Sequence, residues 1–399
     1  MTIISGICPV EHLGAGRMVR WVEKKAPEFP NWKIVYASNK SGASACLRKR
    51  HFIQFPFHIL RHITRRASLY RNLSSLAEEP HLLLLHFQEI GFDWCMRLLN
   101  RRSLTQPIWI YLFDSAFFCR KSYNHIEGEN SECLRCLGGN FQEANRAGCV
   151  SYPRKSKKNT PFLEALHIAA TKKRVAFLAQ NEAQKQLAMR HFGPEATVET
   201  VGLWTDDIEE LHHECFNTGA VPHSGASPFD VVFHGNPQAT KGFFWAIEVA
   251  RFAPHLSFLF PCRQPLPPVP SNCHFREMRW NSGLSEIVRS TPLTLVPSLW
   301  SAPVEGSLIK TFMVSPRVAV VDVPSSFSSE FDGSLILRLP QNPEAAAGAL
   351  SDAVRSHSPI SSARRESWLK AFSANCHCLQ TIDQIIEKEP DSPKPGSSI

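Results

Sequence analysis

Short apolar runs recur along this chain, separated by longer segments in which apolar and polar residues mix. That alternation is the pattern of a parallel sheet with connecting helices on its faces. In the first half it predicts strands over residues 3–8, 33–37, 82–86, 108–113 and 174–179, with helices over 16–25, 57–78 and 92–100. The pattern breaks at 202–207 (GLWTDD) and again at 218–228 (TGAVPHSGASP), where Gly, Pro and Ser accumulate. It then restarts, with strands over 230–234, 256–260, 293–296 and 317–323 and a helix over 242–252. The five prolines of 261–270 (PCRQPLPPVP) make that segment a rigid surface loop. Residues 361–387 read as a last helical region weakened around Asn375, and 389–399 as a polar, disordered tail. The expected organisation is two α/β units, 1–217 and 218–360, followed by a helical segment, 361–388, and the tail. No short repeat is visible.

Composition narrows this picture. A chain of 399 residues exceeds one ordinary core, and 43% hydrophobic with 20% charged residues is a globular balance. The first ten residues have neither a basic start nor a cleavage site, so they read as a buried strand rather than a signal peptide. The longest apolar run, 81–87, falls far short of the roughly 20 residues of a membrane-spanning helix. A cytoplasmic protein is expected. The net charge of +8 is uneven: residues 1–160 hold 24 Lys and Arg against 12 Asp and Glu. The excess clusters at 48–50, 61–71, 101–102 and 154–158. Such a half attracts phosphates, and an anionic membrane surface, with the protein peripheral at its inner face, is the leading functional reading; a merely solvated face is the other. Nucleic acid is not expected, because no aromatic pattern interleaves with the basic clusters.

Candidate chemistry concentrates in the second half. Around residue 296 a short apolar strand runs into Pro297-Ser298, then a loop, then Gly306 and a helix. In open α/β sheets ligands sit beyond the carboxyl ends of strands, where helix N-termini bind phosphate through free N–H groups. Gly306 would let the backbone approach a diphosphate, Ser307 adds a hydroxyl, and Glu305 is a hydrogen-bond acceptor for a sugar or ribose. The same sequence also reads as an ordinary strand–loop–helix unit with Ser as N-cap. Earlier, the strand at 230–234 ends in a turn containing Gly235 and Asn236, and Lys241 stands at the start of the next helix, placed to counter a phosphate.

Together these two segments resemble the donor half of the group 1 glycosyltransferases, the family 4 type with the GT-B fold. Lys241-Gly242 and Val296-Pro297-Ser298-Leu299-Trp300 carry the likeness, which spans roughly residues 1–340 and is strongest over 230–322. In the first half, Gly14-Ala15-Gly16 falls where the family has an acceptor-side Gly loop, and Leu84-Leu85-His86 and Tyr111-Leu112-Phe113-Asp114 match its two strand-ending segments. The resemblance implies two Rossmann-like domains facing a cleft, a nucleotide-sugar donor, a glycan or lipid-linked acceptor, a retaining outcome and no catalytic metal. With the residues read above, the donor site is expected to comprise Gly235, Asn236, Lys241, Ser298, Glu305, Gly306 and Ser307, with Lys310 suited to an additional phosphate or a differently charged donor. His86 and Asp114 are candidates to orient or deprotonate the acceptor hydroxyl. The chain departs from the family where paired glutamates are expected: Ala302 takes the place of the first, and Lys310 or Thr311 that of the second. Asn236 and Gln238 stand near its usual Arg, and Phe113 replaces the His before Asp114.

Four of the twelve cysteines, Cys119, Cys133, Cys136 and Cys149, form C-x13-C-x2-C-x12-C in a polar, Gly-containing stretch. That spacing suits either a structural zinc held by four thiolates or four reduced thiols. The Cys-rich stretch resembles an insertion in some family 4 enzymes, where it would shape the acceptor side. Cys376 and Cys378 read as a buried helix face. Three rival functions remain: a glycosyltransferase-like scaffold without activity, a metal-thiolate protein built on the cysteines, and nucleic-acid binding through the basic half.

Overall fold

The computed structural model describes residues 1–9, 14–37, 71–102, 106–152, 156–217, 227–265, 268–356, 359–376 and 378–387, with scattered positions between 56 and 67. The basic cluster at 48–50, most of 61–71, Arg154 and Lys155, most of the 218–228 break and the tail lie outside the described residues.

Six strands form the first sheet: β1 (Thr2–Ser5), β2 (Lys33–Tyr36), β3 (Leu82–Leu85), β4 (Ile108–Tyr111), β5 (Val175–Ala179) and β6 (Val198–Thr200). Their order is β2-β1-β3-β4-β5-β6, and every pairing is parallel. Six more form the second: β7 (Val231–Phe233), β8 (Phe258–Phe260), β9 (Cys273–Phe275), β10 (Leu293–Leu295), β11 (Val318–Val321) and β12 (Leu337–Leu339). Their order is β12-β11-β10-β7-β8-β9, again all parallel. Each sheet therefore grows outward in one direction, returns to its centre and grows in the other. The reversal leaves a crevice at the carboxyl edge, between β1 and β3 in the first sheet and between β7 and β10 in the second.

Burial explains why the central strands read as continuous apolar runs. In β3, Leu82 and Leu84 join a core with Trp94, Leu98 and Phe162, while Leu83 and Leu85 face Met18, Trp21 and Val22. That second core does not stop at the first sheet. It continues through Ile208 and Leu211 to Leu308 and Phe312 of the second half, and on to Leu369, Leu379 and Ile382 near the C-terminus. Each such side chain, fully buried, stabilises by roughly 1.5–3 kcal/mol, so this shared layer is a substantial link between the halves. The helices Ser362–Asn375 and Cys378–Glu387, broken beside Asn375 as expected, return to the first half. There Trp32 Nε1 donates to Asp383 Oδ1 at 2.5 Å.

The strands that periodicity misses, β6, β9 and β12, are all edge strands of three residues. An edge strand is short and partly solvated, so its sequence (Val-Glu-Thr, Leu-Arg-Leu) carries no apolar run. The expected break at 202–207 is also corrected: a helix, Asp206–Asn217, starts within it.

Candidate active site

At the crevice of the second sheet the chain brings Lys241, Ser298 and Glu305 together. Lys241 ends a single 3-10 turn, Ala239–Lys241, after β7. Gly242 follows at φ +68, and a Cβ there would lie 2.0 Å from the Pro297 carbonyl oxygen, so only glycine lets the two loops close on each other. Lys241 Nζ donates to Glu305 Oε1 at 2.6 Å, and Ser298 Oγ lies 2.8 Å from each Glu305 oxygen. Nζ also stands 5.1 Å from the ring centre of Trp300. Glu305 caps the helix Gly306–Val314 without a side-chain bond to its amides. Space is open around Gly306, where an added Cβ would meet nothing within 4 Å. A partly buried ammonium beside a helix N-terminus thus lies at the crevice, with a carboxylate of the chain as its present counter-ion. Gly235 and Asn236 lie in the turn after β7, where the Asn236 carbonyl accepts the Gln238 N–H at 2.8 Å.

Lys310 is engaged elsewhere. Its ammonium pairs with Asp207 at the start of helix Asp206–Asn217, and Arg17 reaches the same carboxylate oxygen at 2.6 Å. Thr205 Oγ1 donates to the other oxygen at 2.7 Å. Burial pushes the Asp207 carboxyl up, but Lys310, the Thr205 hydroxyl and Arg17 outweigh it and hold the group below its ordinary range. Burial likewise lowers Lys310, against the pull of Asp207. Trp280 covers this group: Lys310 Nζ is 5.7 Å from its ring, and His234 stacks on it at 4.9 Å. His234 Nδ1 is hydrogen-bonded to Thr311 Oγ1 at 2.6 Å, and burial pushes its imidazole down to about 3.

In the first half, Gly14 and Gly16 stand in the first turn of the helix Gly14–Lys25 rather than in a loop, because the helix begins two residues earlier than its apolar periodicity suggests. His86 has φ +57 and turns the chain from β3 into the short helix Phe87–Ile90. Gly6, just past β1, packs on that corner: a Cβ there would lie 2.2 Å from the His86 oxygen. Asp114 follows β4 and accepts the Ala116 N–H at 2.8 Å. Desolvation outweighs that bond and pushes its carboxyl up to about 7.

The Cys-bearing segment joins the two edges, a role its spacing does not announce. Asn124 Oδ1 accepts from Ser115 Oγ at 2.8 Å and from the Ser301 N–H at 3.2 Å, while its Nδ2 donates to Ser301 Oγ at 2.8 Å. Glu132 accepts from Ser301 Oγ and, at 3.2 Å, from the Ser325 N–H. Tyr123 meets Trp300 edge-on, with ring centres 4.5 Å apart. Cys119, Cys133, Cys136 and Cys149 are unpaired thiols, and burial pushes Cys136 up to about 11 and Cys119 higher still. Among the described residues no three His, Cys, Asp or Glu side chains are arranged to hold a metal ion. Cys119 nonetheless lies near enough to the other three to feel their charge, and the segment is held as well by the hydrogen bonds above.

Two doubly wound parallel sheets with bridged carboxyl edges, and C-terminal helices that return to the first half, define the GT-B fold. Among solved structures the chain is similar to Anabaena HepE in complex with UDP and glucose, with a TM-score of 0.56 and 10% identity over 97% of this chain and 99% of that one. It is similar to sucrose-phosphate synthase from Thermosynechococcus elongatus, with a TM-score of 0.56 and 11% identity over 96% and 98% of the two chains. WaaG, a glycosyltransferase involved in lipopolysaccharide biosynthesis, gives 0.50 and 11% over 97% and 100%. At these identities the likeness is one of fold. No protein-family model and no curated protein matches the chain.

Proposed function

We propose that this protein is a glycosyltransferase that moves a sugar from a nucleotide-diphosphate donor to a hydroxyl of a glycan or lipid-linked acceptor, in the synthesis of a cell-surface polysaccharide or lipopolysaccharide. The observation that carries the reading is Lys241, a partly buried ammonium at the crevice between β7 and β10, next to the open N-terminus of the helix Gly306–Val314. A diphosphate there would replace Glu305 as the counter-ion of Lys241 and take the free N–H groups at Gly306 and Ser307. Fixed donors of this kind stabilise the charge that develops on the leaving nucleotide without a metal. Structures of the same fold hold UDP and glucose, and one belongs to an enzyme of lipopolysaccharide biosynthesis. The resemblance to the family 4 type supports a retaining hexosyl transfer.

On the facing edge, Asp114 is the group to take the acceptor proton and His86 to orient the hydroxyl. With its carboxyl at about 7, Asp114 is a competent base only above neutrality. Transfer is expected to rise with pH through about 7 and to be lost in Asp114→Asn. The basic clusters of the first half suit the anionic inner face of a membrane. Incubation with UDP- and GDP-linked sugars, read as release of free nucleotide, tests the reading; no release from any such donor sinks it. A second reading, an inactive scaffold of the same fold, is favoured by one feature. Both lysines near the crevice are neutralised by the chain itself, Lys241 by Glu305 and Lys310 by Asp207. It predicts nucleotide binding without turnover, or no binding at all.

A further inference from the structure

The segment between Cys119 and Tyr152 leaves three large side chains in water: Tyr123 is 40% exposed, Val150 60% and Tyr152 38%. The two tyrosines are nonetheless anchored. Tyr123 packs edge-on against the buried Trp300 of the opposite half. Tyr152 donates its hydroxyl to Glu89 Oε1 at 2.8 Å, and its N–H to the Arg120 carbonyl at 2.9 Å. Glu89 and Asp114 lie just beyond the carboxyl ends of the adjacent strands β3 and β4, on the edge that faces the crevice. Both phenols lie near enough to Asp114 to feel its charge, and Tyr152 also feels Tyr123. Burial, with these carboxylates, pushes Tyr123 up to about 12 and Tyr152 further, so both hydroxyls remain donors at neutral pH.

We propose that Tyr123 and Tyr152, with Glu89 and Asp114 beside them, form the acceptor subsite, and that the group it takes is an uncharged sugar ring. The proposal rests on the glycosyltransferase reading and assigns its acceptor. A pyranose presents apolar C–H faces, which suit an exposed aromatic ring, and a rim of hydroxyls, which donate to carboxylates. A phosphate or carboxylate on the acceptor would instead meet two acidic side chains, of which Asp114 carries its charge above about pH 7, and like charges cost affinity. Rigid aromatics with one polar tip also bind at small entropic cost.

Saturation-transfer NMR on the full chain, with whichever of UDP, GDP or CMP binds it present in excess, tests this. Maltose serves as the neutral probe, glucose 6-phosphate as the charged one, and monomeric octyl glucoside as a lipid-like one. Maltose is expected to give a signal that exceeds that of glucose 6-phosphate and falls by about tenfold in Tyr123→Ala and in Tyr152→Ala. Tyr123→Phe, which keeps the ring, is expected to retain most of it. A stronger response from octyl glucoside assigns the ring to a lipid-linked source, and an equal one to a free glycan. Melting temperatures close to that of the wild type show that the variants are folded. Glucose 6-phosphate binding as well as maltose, or an unchanged maltose signal in both alanine variants, overturns the proposal. If the chain binds a nucleotide but no saccharide, only this subsite fails; if it binds no nucleotide, the glycosyltransferase reading fails first.

Discussion

Gly242 occupies a place no other residue fits, since its backbone has φ +68 and the Pro297 carbonyl fills the position of a Cβ. Backbone cannot swing aside as a side chain can, so Gly242→Ala is expected to cost at least ~2 kcal/mol in urea denaturation and to separate Lys241 from Ser298. His191 makes a different kind of prediction. It is buried among Phe117, Phe118, Phe141, Phe192 and His167, neither ring nitrogen has a hydrogen-bond partner among the described residues, and burial, with His167 beside it, pushes it from 6.5 down to about 3. Above pH 6.5 the ring is neutral whether the chain is folded or not, and nothing is lost. As pH falls below that value the unfolded chain binds a proton that the folded one refuses, so stability declines until about pH 3. The slope approaches about 1.4 kcal/mol per pH unit for one histidine. Melting curves across this range should be shallower in pH for His191→Leu than for the wild type; identical slopes would contradict the assignment. His234, lowered in the same way, adds a contribution of the same sign.

The element that most changes the picture is the segment running from Cys119 to Tyr152. It is a bridge between the edges of the two sheets, and Asn124 is its central pin, serving Ser115 and Ser301 at once. Asn124→Ala leaves the Ser301 N–H and both hydroxyls without this partner and is expected to cost about 1–3 kcal/mol. Hydrogen exchange should then quicken together around Ser301 and around Asn124, and protection that persists at Ser301 would show the bridge to be held elsewhere. None of this was legible in the sequence. Asn124 and Ser301 are 177 positions apart, and a polar pair of this kind has no periodicity and no local composition. The cysteine spacing was legible as one group, and Cys119 does lie close enough to the other three to feel their charge. The central strands were legible for the opposite reason: β3, buried on both faces, must be apolar at every position. Lys241 and Ser298 were legible because each sits next to a local signature, a turn glycine and a Pro-Ser strand end. The partner of Lys310 was not, since Asp207 belongs to a helix that the Gly-Leu-Trp-Thr stretch before it disguised as a break.

At the scale of the whole molecule, the two sheets are not independent bodies joined by a linker. A common apolar layer runs from Ile3 and Trp21 through Leu308 and Phe312 to Ile382, and the last two helices close it over the first half. No helix among the described residues is long and apolar enough to cross a membrane. The crevices at the two sheet centres are thus presented to each other by fold, by shared core and by the Asn124 bridge, with Lys241 on one side and Asp114 on the other. Lys241 is the group proposed to hold the diphosphate of a nucleotide. Calorimetric titration of UDP and GDP into the wild type, Lys241→Ala and Glu305→Gln tests it directly. One nucleotide is expected to bind the wild type, and Lys241→Ala to weaken it by about tenfold or more, the loss expected for a charge-assisted hydrogen bond. Glu305→Gln, which frees the ammonium of its counter-ion, should bind at least as tightly as the wild type. Equal affinity in the wild type and Lys241→Ala, or no nucleotide binding at all, would contradict it.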